Sequence, residues 1–237
     1  MSGDVNHNSS KSRYRQQGRK RTPKPQRTYH HGSLPQALLE AAETVLKREG
    51  LPGLTLRAIS RQAGVSHTAA RHHFSDLSGV LSTLAAVGHL RLTEELKRFG
   101  LEKPPGELRR KAIGKGYIQF AVDNPDLFRL MSRNELLNYE APALKEGLRV
   151  SSRALAGVFD INAEVVDNAF TPIEHDKALV AAAGWGYVHG LANLLIDGRL
   201  TRLAASAGTF SDAHAMVNET IDRITLSGSS EKAATRT

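Results

Sequence analysis

Polar side chains suited to contacting nucleic acid are concentrated between residues 66 and 73. Four of them can donate or accept hydrogen bonds from the outer face of one helix: His67, Thr68, Arg71 and His72, with His73 beside Phe74. An arginine can bond to both acceptors of a guanine in the major groove of DNA, and a threonine can contact the methyl group of thymine. The residue types and their spacing therefore predict a helix that reads base edges.

Two other interpretations of this stretch follow from the same residues. A solvated pair of amphipathic helices in an all-α domain would also carry charged side chains on its surface. Histidines can bind metals, but His67, His72 and His73 are not spaced at i, i+4, and no carboxylate pair lies near them. We therefore predict neither a metal site nor a cofactor.

The elements that would position these side chains are two short helices joined by a tight turn. Thr55 is expected to cap the first helix and Ser66 the second, since each hydroxyl can accept a bond from a free backbone N–H. Gly64 lies between them, where a helix end commonly requires a left-handed residue. Small side chains would let the two helices cross closely: Ala63, Ala69 and Ala70. Arg57 and Arg61 on the first helix could hold phosphates, which set register without reading sequence.

This stretch resembles the helix-turn-helix of the tetracycline-repressor (TetR) family of bacterial transcription regulators. The resemblance spans about residues 33–92, and it rests on Leu54-Thr55 with Ile59, Ala63-Gly64-Val65-Ser66 and His73-Phe74. It implies a recognition helix that begins at the serine after Gly-Val. Two positions depart from the usual pattern, since most members have Tyr in place of Arg71 and a phosphate-binding Lys in place of Leu77.

The residues and the resemblance together predict one DNA-binding set. Its members are Thr55, Arg57, Arg61, Ser66, His67, Thr68, Ala69, Arg71, His72 and His73. The implied partner is double-stranded DNA with an inverted repeat.

Composition excludes several classes of protein. The 237 residues are 40% hydrophobic and include no cysteine, which excludes disulfides and thiolate metal sites. No run approaches the roughly 18 uninterrupted apolar residues of a membrane span, and no apolar segment lies near the N-terminus. We expect a cytoplasmic protein with no membrane partner.

Positive charge is concentrated at the N-terminus. Residues 1–31 contain eight of the lysines and arginines and one acidic residue, Asp4, which accounts for most of the formal net charge of +8. A segment so polar cannot bury enough surface to order itself, so we predict a disordered basic arm. The arm would add phosphate contacts beside the helix-turn-helix or enter a minor groove, or it would serve only as a solubilising tail.

The apolar pattern predicts an all-α chain, because no stretch shows the alternation of a strand. A first helix follows Ser33 and ends at Gly50, and a fourth is capped by Asp76 and runs to about Phe99. Later helices are predicted over about 107–122, from 126, and over about 141–159, 173–196 and 211–226. The first of these would bury Leu108, Ala112, Ile113, Tyr117 and Phe120.

The domain layout follows from these helices. Residues 1–31 form the basic arm, 32–79 a three-helix DNA-binding domain, 80–226 a larger helical domain for effector binding and dimerisation, and 227–237 a flexible tail. The C-terminal half resembles a subset of the same family named for a Trp-His-Gly signature, through residues 124–131 (NPDLFRLM), 188–192 (VHGLA) and 197–200 (DGRL). Val188 stands where that subset has Trp. This resemblance implies an effector-binding domain whose last two helices pair with a second subunit, giving a homodimer.

Scarce aromatic residues indicate where a small molecule could bind. Large apolar walls with a few polar tips describe a ligand pocket, although they also describe an ordinary core. The candidates are Tyr117, Phe120, Phe128, Met131, Trp185 and His189. His189 on a mostly apolar helix would equally suit a hydrogen-bonded core histidine.

No motif for catalysis is present, so we predict no catalytic residue. Residues 184–190 loosely resemble a dinucleotide-binding loop, but the third glycine comes one residue late and no strand precedes it. The sequence therefore predicts a transcription regulator, most simply a repressor released by a small-molecule effector of unknown identity. The alternatives are a DNA-binding structural protein without a ligand and an α-helical enzyme.

Overall fold

The computed structural model describes residues 34–159, 161 and 172–224. The predicted basic arm, the cap Ser33 and the predicted tail lie outside these residues. The expected all-α class is confirmed, since the described residues form ten α-helices and no strand. The helices are α1 Leu34–Gly53, α2 Leu56–Ala63, α3 His67–Phe74, α4 Leu77–Leu96, α5 Glu107–Asp123, α6 Pro125–Met131, α7 Pro142–Val158, α8 His175–Ile196, α9 Thr201–Ala207 and α10 Ala213–Arg223.

Helix α1 packs its apolar stripe against α2, α4 and α6. Leu38, Val45 and Leu46 are almost completely buried there. The predicted end of the regular helix at Gly50 is confirmed, because Gly50 has a φ of 67°. A separate short turn follows this left-handed residue and continues to Gly53.

Helix α4 connects the three N-terminal helices with the rest of the molecule, and α7 crosses it at close range. A Cβ atom added to Gly147 would lie 3.0 Å from both Cα and the carbonyl oxygen of Ala86. One turn further, His89 Nδ1 lies 2.9 Å from Ser151 Oγ. Backbones this close leave α7 little room to move without displacing α4.

Helix α5 lies between α4 and α8, with Tyr117, Ile118 and Phe120 buried. The prediction that Leu108 is buried is wrong, since this side chain is 82% exposed. Leu108 precedes Tyr117 by nine residues, which at about 100° per residue places it on the opposite side of the helix.

Several boundaries differ from the predictions. Helix α6 begins at Pro125, a position where the missing N–H of proline costs little. Helix α8 begins at His175 instead of Ile173, and α10 begins after the cap Asp212. Helix α9 was not predicted, because its seven residues are too few to show an apolar period.

Helix α8 is the most apolar helix and also the least covered. Within the described residues it is the one helix long and apolar enough to cross a membrane, with a mean hydropathy of 1.4 over its best window and 11% of that window buried. Its Gly184 and Ala192 face the core, while Leu179 and Trp185 are each 57% exposed. Within the described residues, one face of this apolar helix is therefore left uncovered.

Candidate DNA interface and ligand cavity

The helix pair that carries the candidate DNA-binding residues is fixed by local hydrogen bonds. Thr55 Oγ1 accepts a hydrogen bond from the backbone N–H of Ala58, and Ser66 Oγ accepts one from that of Ala69, each at 3.1 Å. Gly64 ends α2 with a φ of 70° and a ψ of 28°. The predicted caps and the predicted left-handed glycine are therefore confirmed, and together they set where α3 begins.

Helix α3 turns its small and apolar residues inward and its polar residues outward. Ala70 is completely buried and Phe74 is half-buried against the core. Of the ten residues predicted to bind DNA, Ala69 is half-buried and the other nine are exposed. His67 and Arg71 lie one turn apart, as do Thr68 and His72. The structure thus leaves nearly all of the predicted set accessible on and beside α2 and α3.

The positive charge of α2 and α3 is not balanced by acidic residues within this part of the sequence. No acidic residue occurs from Gly50 to Ser75. Within the described residues, Arg57, Arg61 and Arg71 form no ion pair, whereas Arg48 of α1 donates hydrogen bonds to Glu49 and Gln62. Guanidinium groups without a carboxylate partner are free to bind phosphate or guanine. The arrangement can therefore contact a DNA duplex without first breaking internal ion pairs.

A cavity of about 320 Å³ lies between α5, α7, α8 and α10. This volume is at the lower end of the roughly 300–1,000 Å³ of small-molecule sites. Its wall is mostly apolar, with side chains that include Ile113, Leu155, Val158, Val188 and Ile221. The described part of the chain contains no cluster of three or more residues able to hold a metal ion. The mostly apolar wall suits an organic molecule.

The six residues predicted to bind a ligand divide between this cavity and the core. Tyr117 and Trp185 line the cavity. Phe120 and Phe128 are buried in the core, and Met131 packs against α4 where a Cβ on Gly88 would touch its sulfur. His189 lies outside the cavity lining and stacks at a tilt on Phe128, with 5.3 Å between ring centroids.

Tyr117 connects the cavity wall to that aromatic cluster. Its hydroxyl lies 3.0 Å from His189 Nδ1. Burial raises the pKa of Tyr117 to about 12 and lowers the pKa of His189 below its ordinary value. At neutral pH the tyrosine hydroxyl is therefore protonated and the imidazole neutral, so this is a hydrogen bond between two uncharged groups.

The polar residues of the cavity were not predicted from the sequence. Glu107, Arg110 and Lys111 line one end, in the first turns of α5, and Tyr187 lines the α8 side. The Tyr187 hydroxyl is shielded from solvent and has no hydrogen-bond partner among the described residues. A cationic first turn next to an apolar helix was the available signal, but only the packing of α7 and α8 shows that it faces a cavity.

Two protein-family models match the chain, one over the N-terminal helices and the other over the C-terminal helices. The model described as bacterial regulatory proteins, tetR family, matches residues 38–81, from α1 into α4. The model described as a tetracyclin repressor-like C-terminal domain matches residues 111–222, from α5 to α10.

Individual relatives agree with the family matches. A protein of unknown function from Rhodococcus sp. RHA1 has 32% sequence identity and a TM-score of 0.60, covering 83% of this chain and 97% of its own. The transcriptional regulator BetI of Pectobacterium atrosepticum is 27% identical over 183 residues, which are 76% of this chain and 87% of its own. The uncharacterised helix-turn-helix regulator YobS of Bacillus subtilis is 24% identical over 91 residues, 38% of this chain and about half (47%) of its own length.

Proposed function

Because the chain belongs to the TetR family of bacterial helix-turn-helix transcriptional regulators, we propose that it is a repressor released from a palindromic operator by a small-molecule effector. The observation that carries the proposal is the exposed recognition helix α3, whose Arg71 has no acidic partner in the described part of the chain. The family is one of DNA-binding regulators and not of enzymes. A cytoplasmic location accords with this function.

In the proposed complex, the exposed residues of α3 read base edges and those of α2 hold the backbone. Arg71 would bond to guanine or phosphate, with His67, Thr68 and His72 beside it. Arg57 and Arg61 would contact phosphates and fix the register of the domain on the duplex. One helix-turn-helix reads few base pairs, so a palindromic operator requires two copies related by a two-fold axis.

The proposed homodimer is supported by the exposed face of α8. Leu179, Ala183, Gly186 and Gly190 follow one another at spacings of three or four residues, which places them on one side of the helix. A Cβ atom added to Gly186 or Gly190 would meet no atom of the described residues within 4 Å. Glycine inside a helix costs about 1 kcal/mol relative to alanine. No contact in the described part of the chain accounts for these glycines, but they would let a second helix approach closely.

Dimer formation also accounts for the apolar character of α8 better than membrane insertion does. The opposite face of α8 already packs on α5 and α10, through contacts such as those of Val188 and Ile221 near Gly114. A helix held on one side by its own domain requires cover only on the other side. Two copies of α8 and α10 would give a four-helix bundle with that cover.

Release by an effector is supported by the position of α7. This helix contributes Ser152, Leu155 and Ala156 to the cavity wall, and it crosses α4 closely at Gly147. A ligand that fits the cavity better in one arrangement of α7 than in another would shift the population of the two states. Because α4 begins at Leu77, directly after the DNA-binding helices, the shift would change the separation of the two recognition helices.

Two finer assignments belong to the proposal. The C-terminal domain is of the Trp-His-Gly type, which is supported by the resemblance of residues 124–131, the segment that forms α6 and its N-cap. The basic arm, outside the described residues, binds phosphates next to the operator. Deleting residues 1–27 should therefore reduce the slope of log K against log salt by about 0.9 for each phosphate that the arm neutralises.

The test is binding of the full chain to an operator selected from random duplexes, compared with a scrambled duplex of equal length. We expect a palindromic sequence, binding whose preference over the scrambled duplex survives rising salt, and release by a ligand of the cavity. Equal affinity for both duplexes at every salt concentration would overturn the proposal and favour the structural DNA-binding protein.

A further inference from the structure

The chemical class of the effector is indicated by the charges at the cavity, an inference that rests on the proposed function. Three charged side chains line the cavity, and all of them lie in the first turns of α5: Glu107, Arg110 and Lys111. The remaining wall is almost entirely apolar. A ligand that fills this cavity therefore requires a large apolar part and a polar group at one end.

Two of the three charges are already occupied. Lys111 pairs with Glu107 and also donates a hydrogen bond to the backbone carbonyl of Asp222 at 2.7 Å. Asp222 in turn pairs with Lys115, which lies outside the cavity lining. The Glu107 carboxylate is thus neutralised by its own helix, and it leaves no negative charge to attract a cationic ligand.

Arg110 is the third charged residue of the cavity lining. It forms no ion pair with any described residue. A guanidinium presents a planar set of donors that matches the two oxygens of a carboxylate. The cavity lining therefore carries a net charge of one positive group, available at the end where α5 begins.

We propose that the cavity binds an organic anion, an apolar body with a carboxylate-like group that pairs with Arg110. The apolar body lies among side chains that include Ile113, Leu155 and Val188, where its removal from water supplies the main driving force. The shielded Tyr187 hydroxyl has no hydrogen-bond partner among the described residues, and an oxygen of the ligand would supply an acceptor for it.

The alternative ligand is an apolar cation, because cations are attracted to the faces of aromatic rings. Four aromatic residues line the cavity: Tyr117, Phe159, Trp185 and Tyr187. A contact between a cation and an aromatic ring contributes about 0.5–1 kcal/mol at an exposed site. Trp185 is 57% exposed, so its contribution is at the low end. The unpaired positive charge of Arg110 would repel a cation at its end of the cavity. We therefore favour an anionic ligand over a cationic one.

The experiment is a titration of the full chain with three probes of equal length: octanoate, 1-octanol and octylammonium. Trp185 is the single tryptophan of the chain and lines the cavity, so its fluorescence reports occupancy directly. We expect octanoate to bind about tenfold more tightly than 1-octanol, as one charge-assisted hydrogen-bonded pair would give. Octylammonium should bind more weakly than both.

Two variants test whether the preference for octanoate depends on Arg110. Arg110→Gln should reduce octanoate affinity about tenfold, to that of 1-octanol, and leave 1-octanol binding unchanged, which also shows that the variant is folded. Lys103→Gln removes an exposed cation outside the cavity lining and should change neither probe. Equal affinity for the three probes, tighter binding of octylammonium, no octanoate signal up to about 1 mM, or an Arg110→Gln variant that matches Lys103→Gln would each overturn the inference.

A parallel measurement of operator binding separates this inference from the proposed function. Octanoate that binds through Arg110 but leaves the operator complex intact would support the inference and overturn release by an effector. Specific operator binding by a protein that takes up none of the probes would overturn the inference and leave the DNA-binding function intact.

Discussion

The guanidinium of Arg91 on α4 forks onto both carboxylate oxygens of Glu43 on α1, with two N–O distances of 2.8 Å. Lys47, one turn along α1, also pairs with Glu43. The hydrogen bond from Arg91 is the main reason that the pKa of Glu43 is lowered to about 2, from an ordinary value of 4.5. This contact links the first helix of the DNA-binding domain to the helix that leads into the C-terminal domain.

The first prediction concerns stability in acid. Because the pKa of Glu43 is lower in the folded state, its contribution is complete above pH 4.5 and is lost as the pH falls toward 2. Glu43→Gln should lower the free energy of unfolding by about 1–2 kcal/mol at pH 7, since Arg91 is partly solvent-exposed and its pairing is screened. The difference from wild type, measured by urea unfolding, should shrink between pH 4.5 and 2.

Glu94→Gln is the matched control. Glu94, in the last turn of α4, pairs with Lys97 directly after the helix, but the Glu94 side chain is 72% exposed. Its removal should therefore change stability by less than about 0.5 kcal/mol. Equal effects of the two substitutions at pH 7 would show that the fork at Glu43 contributes no more than a surface pair.

The second prediction compares two glycines of α7. Gly147→Ala should destabilise the protein by about 1–3 kcal/mol, because the new methyl group would press on the backbone of Ala86. The methyl group of Gly157→Ala would meet no atom of the described residues within 4 Å, and the substitution should stabilise by up to about 1 kcal/mol through helix propensity. Thermal unfolding of both variants measures the contrast, and a Gly147→Ala protein as stable as Gly157→Ala would contradict the close crossing of α4 and α7.

The third prediction addresses the dimer. Leu179→Glu would place an unpaired charge in the proposed interface, and it should raise the dimer dissociation constant at least about 30-fold. Leu108→Glu alters an even more exposed leucine on α5 and should leave association unchanged. Sedimentation at micromolar concentration should show about twice the chain mass for wild type and Leu108→Glu. If Leu179→Glu also sediments as a dimer, the interface lies elsewhere.

The fourth prediction concerns DNA recognition. Arg71→Ala should weaken operator binding by about 1–3 kcal/mol, roughly 5- to 150-fold, if the guanidinium pairs with a base. Arg202→Ala removes the same charge from the exposed surface of α9 and should have little effect. The two affinities are measured on the selected operator at one salt concentration. If Arg71→Ala and Arg202→Ala bound the operator with the same affinity, Arg71 would not contribute to the DNA interface.

The helix-turn-helix could be predicted from sequence because its determinants are local. Thr55 and Ser66 each bond to a backbone N–H three residues away, and Gly64 ends α2 through its own backbone angles. Contacts this short depend on neighbours in the chain and not on the rest of the fold. The polar outer face of α3 follows from the same spacing, once Ala70 and Phe74 are assigned to the core.

The cavity depended on the tertiary structure. Tyr117 and Phe128 are both large aromatic residues on consecutive helices, yet only Tyr117 lines the cavity. Arg110 and Tyr187 were missed for the same reason, since each became a cavity residue only where helices distant in sequence meet. The sequence by itself determined which faces of the helices are apolar, because that property repeats along each helix. Only the packing of α5, α7, α8 and α10 decided which of those faces close on one another and which leave a space, because packing depends on side-chain volumes from segments far apart in the chain.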